Sequence, residues 1–176
     1  MNKNLYQPDK QLVAVCGLFC PACGIFIARK ESQEKQRRMA GNLQVPVEAL
    51  KCSGCRAEKR FVFCETCKMS ACAEKKEIDY CVECTEYPCT TLKKFQSAMP
   101  HRIELWQTQA RIKEIGFEKW FEEMIEHYSC PQCGTINSAY HLACRECGAK
   151  PSCTYVGLHK EGIMSYLSNR RESTIK

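Results

Sequence analysis

No apolar run in this 176-residue chain approaches the roughly 20 residues that a membrane-spanning helix needs, so no membrane partner is expected. The opening stretch, Met1 to Pro8, has neither an apolar h-region nor a small-residue cleavage site, which argues against a secretory signal. No Ser-His-Asp arrangement, glycine-rich phosphate loop or carboxylate cluster nominates an enzyme, and the reading leans toward none. Low-complexity segments and tandem repeats are missing too. Ordinary apolar residues are in short supply: the 44% hydrophobic share includes sixteen cysteines, and the remainder falls in short patches. Such a chain is poorly equipped to order itself by burial alone.

Cysteine is what the chain has instead. Without a secretory signal, the expected compartment is the reducing cytoplasm, where cysteines in pairs point to metal rather than to disulfides. The spacing agrees. Six Cys-x-x-Cys pairs occur: 20/23, 52/55, 64/67, 81/84, 130/133 and 144/147. Two cysteines three apart aim their thiolates at one tetrahedral ion, so each pair supplies half a site. Zinc is the expected cofactor, at three or four ions per chain. The formal charge of +6 therefore misleads. A zinc ion with four thiolates carries about −2, and three such sites bring the protein close to neutral.

The strongest site lies at Cys130-Pro-Gln-Cys133-Gly134 and Cys144-Arg-Glu-Cys147-Gly148, two knuckles with ten residues between Cys133 and Cys144. Each glycine suits the positive φ that follows a knuckle, and residues 135–140 suit a hairpin arm, so a zinc ribbon is expected. A rubredoxin-like iron site is the alternative. Cys16-x3-Cys20-x2-Cys23 has three readings. The spacing matches radical-SAM enzymes, but this chain cannot supply their large partial barrel, and Ala22 stands where they place an aromatic. Cys20-Pro-Ala-Cys23 between a strand and a helix also fits a glutaredoxin-type redox motif. A structural metal site is the reading preferred. Residues 52–89 add Cys52, Cys55, Cys64, Cys67, Cys72, Cys81, Cys84 and Cys89. With the first trio these make eleven thiols, two sites of four with three over, and Cys153 would complete a third. Spacing alone leaves the pairing open. The four histidines read as surface or partly buried residues rather than ligands.

These N-terminal motifs resemble a known family. Cys16-Gly-Leu-Phe-Cys20-Pro-Ala-Cys23, Cys52-Ser-Gly-Cys55-Arg56, Cys64-x2-Cys67-x4-Cys72-Ala73-Glu74-Lys75 and Cys81-Val-Glu-Cys84-Thr-Glu-Tyr87-Pro88-Cys89 look like the cysteine-rich prokaryotic domain-of-unknown-function family number 3795, over about residues 11–98. The resemblance implies metal binding and a bacterial or archaeal host, and it implies no activity. The segment 130–147 is similar to the zinc ribbons of many unrelated proteins, which share a shape and not a function.

The expected fold class is a small metal-rich α+β protein. It comprises a cysteine-rich metal-binding module (1–99), a helical segment (100–128), a zinc ribbon (129–153) and a C-terminal tail (154–176) with a helical patch at Ile163 to Leu167 and polar, disordered final residues. Residues 11–23 read as a short strand running into the first knuckle. A helix is expected from Gly24 to Ala40 with Gly41-Asn42 as its stop, its basic cluster Arg29 to Arg38 forming a solvated face. Pro46 opens a turn through Leu50. Short helices follow Cys67 and Pro88, and Pro100 and Gly116 divide residues 91–128 into about three helices. Trp106, Trp120 and Phe121 read as core. Of the function classes, an interaction module or adaptor with an unidentified protein partner leads. A redox or metal-handling protein using Cys16, Cys20 and Cys23, with an iron–sulfur centre, comes second. Nucleic-acid binding through residues 24–51 and 129–176, each with six basic and three acidic residues, comes third.

Overall fold

Ser32 interrupts the first helical stretch: its Oγ accepts the Lys35 N–H, capping a new helix where one continuous helix was expected. The structure, a computed structural model, describes residues 6–96 and 99–174, with side chains through Asn169. The first stretch is thus α1 (Gly24–Lys30) and α2 (Gln33–Leu43). The expected stop at Gly41-Asn42 is overrun. Gln44 takes the left-handed cap at φ 54°, and the Val45 N–H reaches back to the Ala40 carbonyl at 3.1 Å. A single 3-10 turn, Val47–Leu50, follows Pro46 and buries Leu50.

The cysteine-rich stretch contributes α3 (Val62–Glu65), α4 (Lys68–Lys75) and a 3-10 turn at Cys81–Glu83. Next come α5 (Thr90–Gln96), a turn at Pro100–Arg102, α6 (Leu105–Ile115) and α7 (Phe117–Tyr128), divided at Pro100 and Gly116 as their backbone chemistry dictates. Gly116 sits at φ 83°, between two helices that fold back on each other.

The α+β class is corrected. Among the described residues the chain is mostly helical, and its β structure amounts to two isolated antiparallel bridges, Val13 with Phe19 and Ser129 with Ile136. The strand expected at the start of 11–23 begins instead as a 3-10 turn, Lys10–Leu12, capped by the Asp9 carboxylate. It then doubles back through Gly17 too soon for a ladder to form. The hairpin arm at 135–140 likewise keeps one bridge, because Asn137 and Ser138 turn their polar groups inward. The helical patch expected at Ile163 to Leu167 lies within a longer helix, α8 (Thr154–Thr174), kinked at His159, with Tyr155, Val156 and Ile163 fully buried. The side chains expected to be disordered at its end lie outside the described residues.

Two apolar clusters hold these elements. The larger gathers Phe19, Phe26, Phe61, Trp120, Phe121, Tyr128 and Tyr155. Phe19, from the loop between Cys16 and Cys20, packs edge-on to Phe121 at 5.0 Å and stacks with Tyr128 at 5.9 Å, so α7 anchors the first cysteine loop. The smaller cluster is built from Ala14, Val15, Cys16, Met69, Ala73, Leu92 and Leu105, and cysteines 55, 67, 81 and 89 pack on its margin. No described helix is long and apolar enough to cross a membrane.

Candidate metal centre

The two knuckles at 130–134 and 144–148 repeat one hydrogen-bond pattern. Gly134 N–H donates to the Cys130 carbonyl at 2.8 Å and Gly148 N–H to the Cys144 carbonyl at 3.0 Å. Cys130 N–H and Cys144 N–H donate to the carbonyls of Thr135 and Ala149, at 2.9 and 2.8 Å. Both glycines sit at φ 75°, a conformation that strains any residue with a Cβ. The match in backbone brings the four sulfurs of Cys130, Cys133, Cys144 and Cys147 together, every pair within 4.8 Å. Cys130 and Cys147 are 3.6 Å apart, as are Cys133 and Cys144. A tetrahedron with metal–sulfur bonds of about 2.3 Å has edges of about 3.8 Å. The separations therefore fit one ion held by all four sulfurs.

Backbone donors prepare these sulfurs for negative charge. Burial opposes ionisation of Cys144, but N–H groups of Cys147 and Glu146, then the Asn137 amide, outweigh it and hold the thiol down to about 6. Cys133 is lowered by Thr135, through side chain and backbone. Cys147 is driven up, despite the Ala149 N–H, because the neighbouring sulfurs press on it. A set that ionises easily at one sulfur and reluctantly at another is short of positive charge. A metal cation held by the four sulfurs would supply it.

Asn137, with no solvent exposure, was not singled out by sequence. Its Nδ2 donates to the carbonyls of Thr135 (2.8 Å) and Ser152 (3.1 Å), with the Cys144 sulfur at 3.6 Å, and its Oδ1 accepts the Arg145 N–H at 3.0 Å. An asparagine between two knuckles was the available signal. Arg145 then reaches Glu31 at 2.9 Å, tying the paired knuckles to the end of α1. The basic cluster is thus partly structural rather than merely solvated, since Arg29 also donates to the Cys52 carbonyl and the Ser53 hydroxyl, both at 2.6 Å.

The eleven N-terminal cysteines are placed differently. Among the described residues, no three of their sulfurs lie mutually within 4.8 Å. They nevertheless form neighbourhoods. Cys20 is pushed well above its ordinary range by burial, then by Cys55 and Cys23, although it accepts the Cys55 N–H. Cys64 is raised to about 12 by burial and then by Cys23, Cys55 and Cys52. Cys23 is raised by burial against N–H donors from Phe26 and Ile25, and Cys55 by burial and Cys67. Cys16 is raised far above its usual range by burial, then by Cys55, with Cys81 and Cys67 nearby. Cys81 is raised to about 12 by burial, then by Cys89, Cys72, Cys67 and Cys84. Cys153 stands apart from the four-sulfur group, 1% exposed in the larger apolar cluster.

The histidines are engaged elsewhere. His127 and His159 both contact Glu104, at 2.8 and 2.6 Å. His141 Nδ1 accepts the Ser138 N–H. His101 is held down to about 4 by burial and the adjacent Arg102, and its Nε2 accepts from Arg102 Nε, so Nδ1 carries the proton given to Tyr140 at 2.6 Å. Trp120 and Phe121 are fully buried.

A family model described as "Protein of unknown function (DUF3795)" matches residues 12–94, the segment that holds all eleven N-terminal cysteines; the paired knuckles lie beyond it. No curated protein matches the chain, and no solved structure does.

Proposed function

We propose that the protein is a cytoplasmic zinc protein carrying three or four ions, and that it works as an interaction module rather than as an enzyme. The observation that carries this reading is the four-sulfur cluster of Cys130, Cys133, Cys144 and Cys147, whose 3.6 Å edges suit a single tetrahedral ion. Thiolates alone favour zinc among the common divalent ions, and the same geometry accepts a lone iron. Protein ligands fill all four positions. A catalytic zinc keeps one position for water or substrate, so a closed site speaks for a structural ion. The zinc-ribbon reading of residues 129–153 rests on the same paired knuckles. The adaptor reading gains from apolar side chains left in solvent, Phe63 and Leu158 each 66% exposed.

The redox reading is weaker on physical grounds. Exchange chemistry needs an accessible thiolate; Cys20 is partly buried and Cys23 exposed, but desolvation pushes both thiols up, which keeps them protonated. An element-specific metal count on full-length protein, purified reduced and without added metal, tests the proposal. Three or four zinc ions are expected. One metal or fewer per chain, or iron with inorganic sulfide, would refute it.

A further inference from the structure

Four of the cysteines outside the paired knuckles line one cavity. Cys72 comes from the last turns of α4, Cys81 from the start of the 3-10 turn, Cys84 from its end, and Cys89 from the residue before α5. The cavity has a volume of about 40 Å³, with Met69 and Leu92 among its apolar walls. We infer that Cys72, Cys81, Cys84 and Cys89 form a second four-thiolate zinc site. This deepens the zinc reading above and rests on it.

Local backbone supports the assignment. Cys84 accepts the N–H of Glu86, two residues on, as Cys133 accepts that of Thr135 and Cys147 that of Ala149. The i to i+2 N–H···S contact of the paired knuckles thus recurs at Cys84. Each segment is also fixed from behind. Cys72 and Cys89 carbonyls accept helical N–H groups of Lys76 and Lys93, at 3.0 Å each, and the Cys81 N–H donates to the Val15 carbonyl at 2.8 Å. Backbones held this way leave χ1 as the main freedom of each cysteine. Rotation between staggered wells swings Sγ toward or away from the cavity centre. The four sulfurs share the cavity without converging as the paired knuckles do, so holding one ion requires them to move toward its centre.

Charge supports it too. Four thiolates on a zinc ion leave about −2, which is costly beside an apolar wall unless a cation is near. Lys76, also on the cavity wall, donates from Nζ to Cys84 Sγ at 3.2 Å. Glu86 holds the same ammonium at 2.5 Å and so is drawn to Lys76. The arrangement supplies thiolate donors, a compensating cation and no carboxylate lining other than Glu86, a donor set that suits zinc rather than calcium or magnesium.

Exposure makes the test sharp. Cys72 and Cys147 are both exposed residues, so an alkylating reagent can reach a free thiol at either, and each is compared with its own rate after chelation. The experiment is timed alkylation of the full-length, metal-loaded protein with N-ethylmaleimide, mapped by peptide mass and paired with zinc counts. Cys72 should label at least tenfold more slowly than after chelation, and Cys72→Ser should carry one zinc ion fewer while Cys147 stays protected. Complete labelling of Cys72 while Cys147 remains protected, or an unchanged zinc count in Cys72→Ser, would overturn the second site and leave the first standing. Rapid labelling of Cys147 as well would overturn both. If Cys72→Ser is insoluble, labelling of the unmodified protein decides.

Discussion

Asn137 and Gln109 share a physical role: each is a fully buried amide that joins segments distant in sequence. Gln109 Oε1 accepts the Val82 N–H at 2.7 Å, and its Nε2 donates to the Val15 carbonyl at 3.3 Å. It thereby fixes the Cys81 turn against the Cys16 loop. Gly17 is required beside it, since a Cβ there would stand 2.7 Å from Gln109 Nε2 and the backbone holds φ 87°. Gln109→Leu should cost about 1–3 kcal/mol in urea unfolding, because the buried Val82 N–H loses its partner while the Val15 carbonyl keeps only the Cys81 N–H. A loss indistinguishable from zero would contradict that role. Asn137→Ala should act on the metal instead, lowering affinity roughly 10–100-fold in competition with a chromogenic chelator, since the amide orients Cys144 and the Arg145 backbone. Unchanged affinity would place Asn137 outside the site's support. Neither amide was legible in the sequence, because the partners of Gln109 lie 27 and 94 residues away and no local pattern announces them.

Three helices meet at one carboxylate. Glu104 immediately precedes α6 and receives His127 from α7 and His159 from the kink of α8. Burial pushes its carboxyl up, but hydrogen bonds from His127 and His159 prevail, so its pKa is lowered in the folded protein. A lowered carboxyl stabilises the fold above its unfolded pKa, and that stabilisation fades as pH falls through the folded value. Glu104→Gln should therefore cost on the order of 1 kcal/mol near neutral pH, discounted for its partial exposure. The gap to the unaltered protein should narrow steadily below about pH 5. Chemical denaturation of both proteins across that range reads the gap, and a gap that widens on acidification would refute the assignment. At this scale much of the fold was legible. Pro46, Pro100 and Gly116 mark element boundaries because proline and glycine act through their own backbone, and α4 and α5 follow Cys67 and Pro88 as expected. The strands were not legible. An apolar stretch such as Leu12 to Val15 fits an extended segment until the early turn at Gly17 removes its partner. Of α8 only the patch at Ile163 to Leu167 was legible, because Tyr155 and Val156 become core only once α7 is beside them.

Across the molecule, the two apolar clusters depend on thiols to different degrees. The larger includes Cys52, with Cys20 and Cys64 packed against it, but it has its own aromatic mass: Trp120, Phe121, Tyr128 and Tyr155 join α7 to α8. The smaller cluster is made of small side chains around Cys16, Met69 and Leu92, with four more cysteines on its margin. Alanine and cysteine bury little area, so this region draws less from the hydrophobic effect and more from whatever binds the sulfurs. The paired knuckles are similarly short of regular structure, with a single bridge at Ser129 and Ile136. Removing metal should therefore not melt the protein uniformly. A strong chelator should strip amide protection from residues 52–96 and 129–153, while 105–128 stay protected, and far-ultraviolet circular dichroism should lose only part of its helical signal. Hydrogen exchange read by peptide mass, before and after chelation, resolves the three segments directly. Complete metal loss with undiminished protection at 52–96 would mean that ordinary packing holds the cysteine-rich region. Loss of protection at 105–128 to the same extent would mean that the aromatic cluster cannot stand without the metal sites.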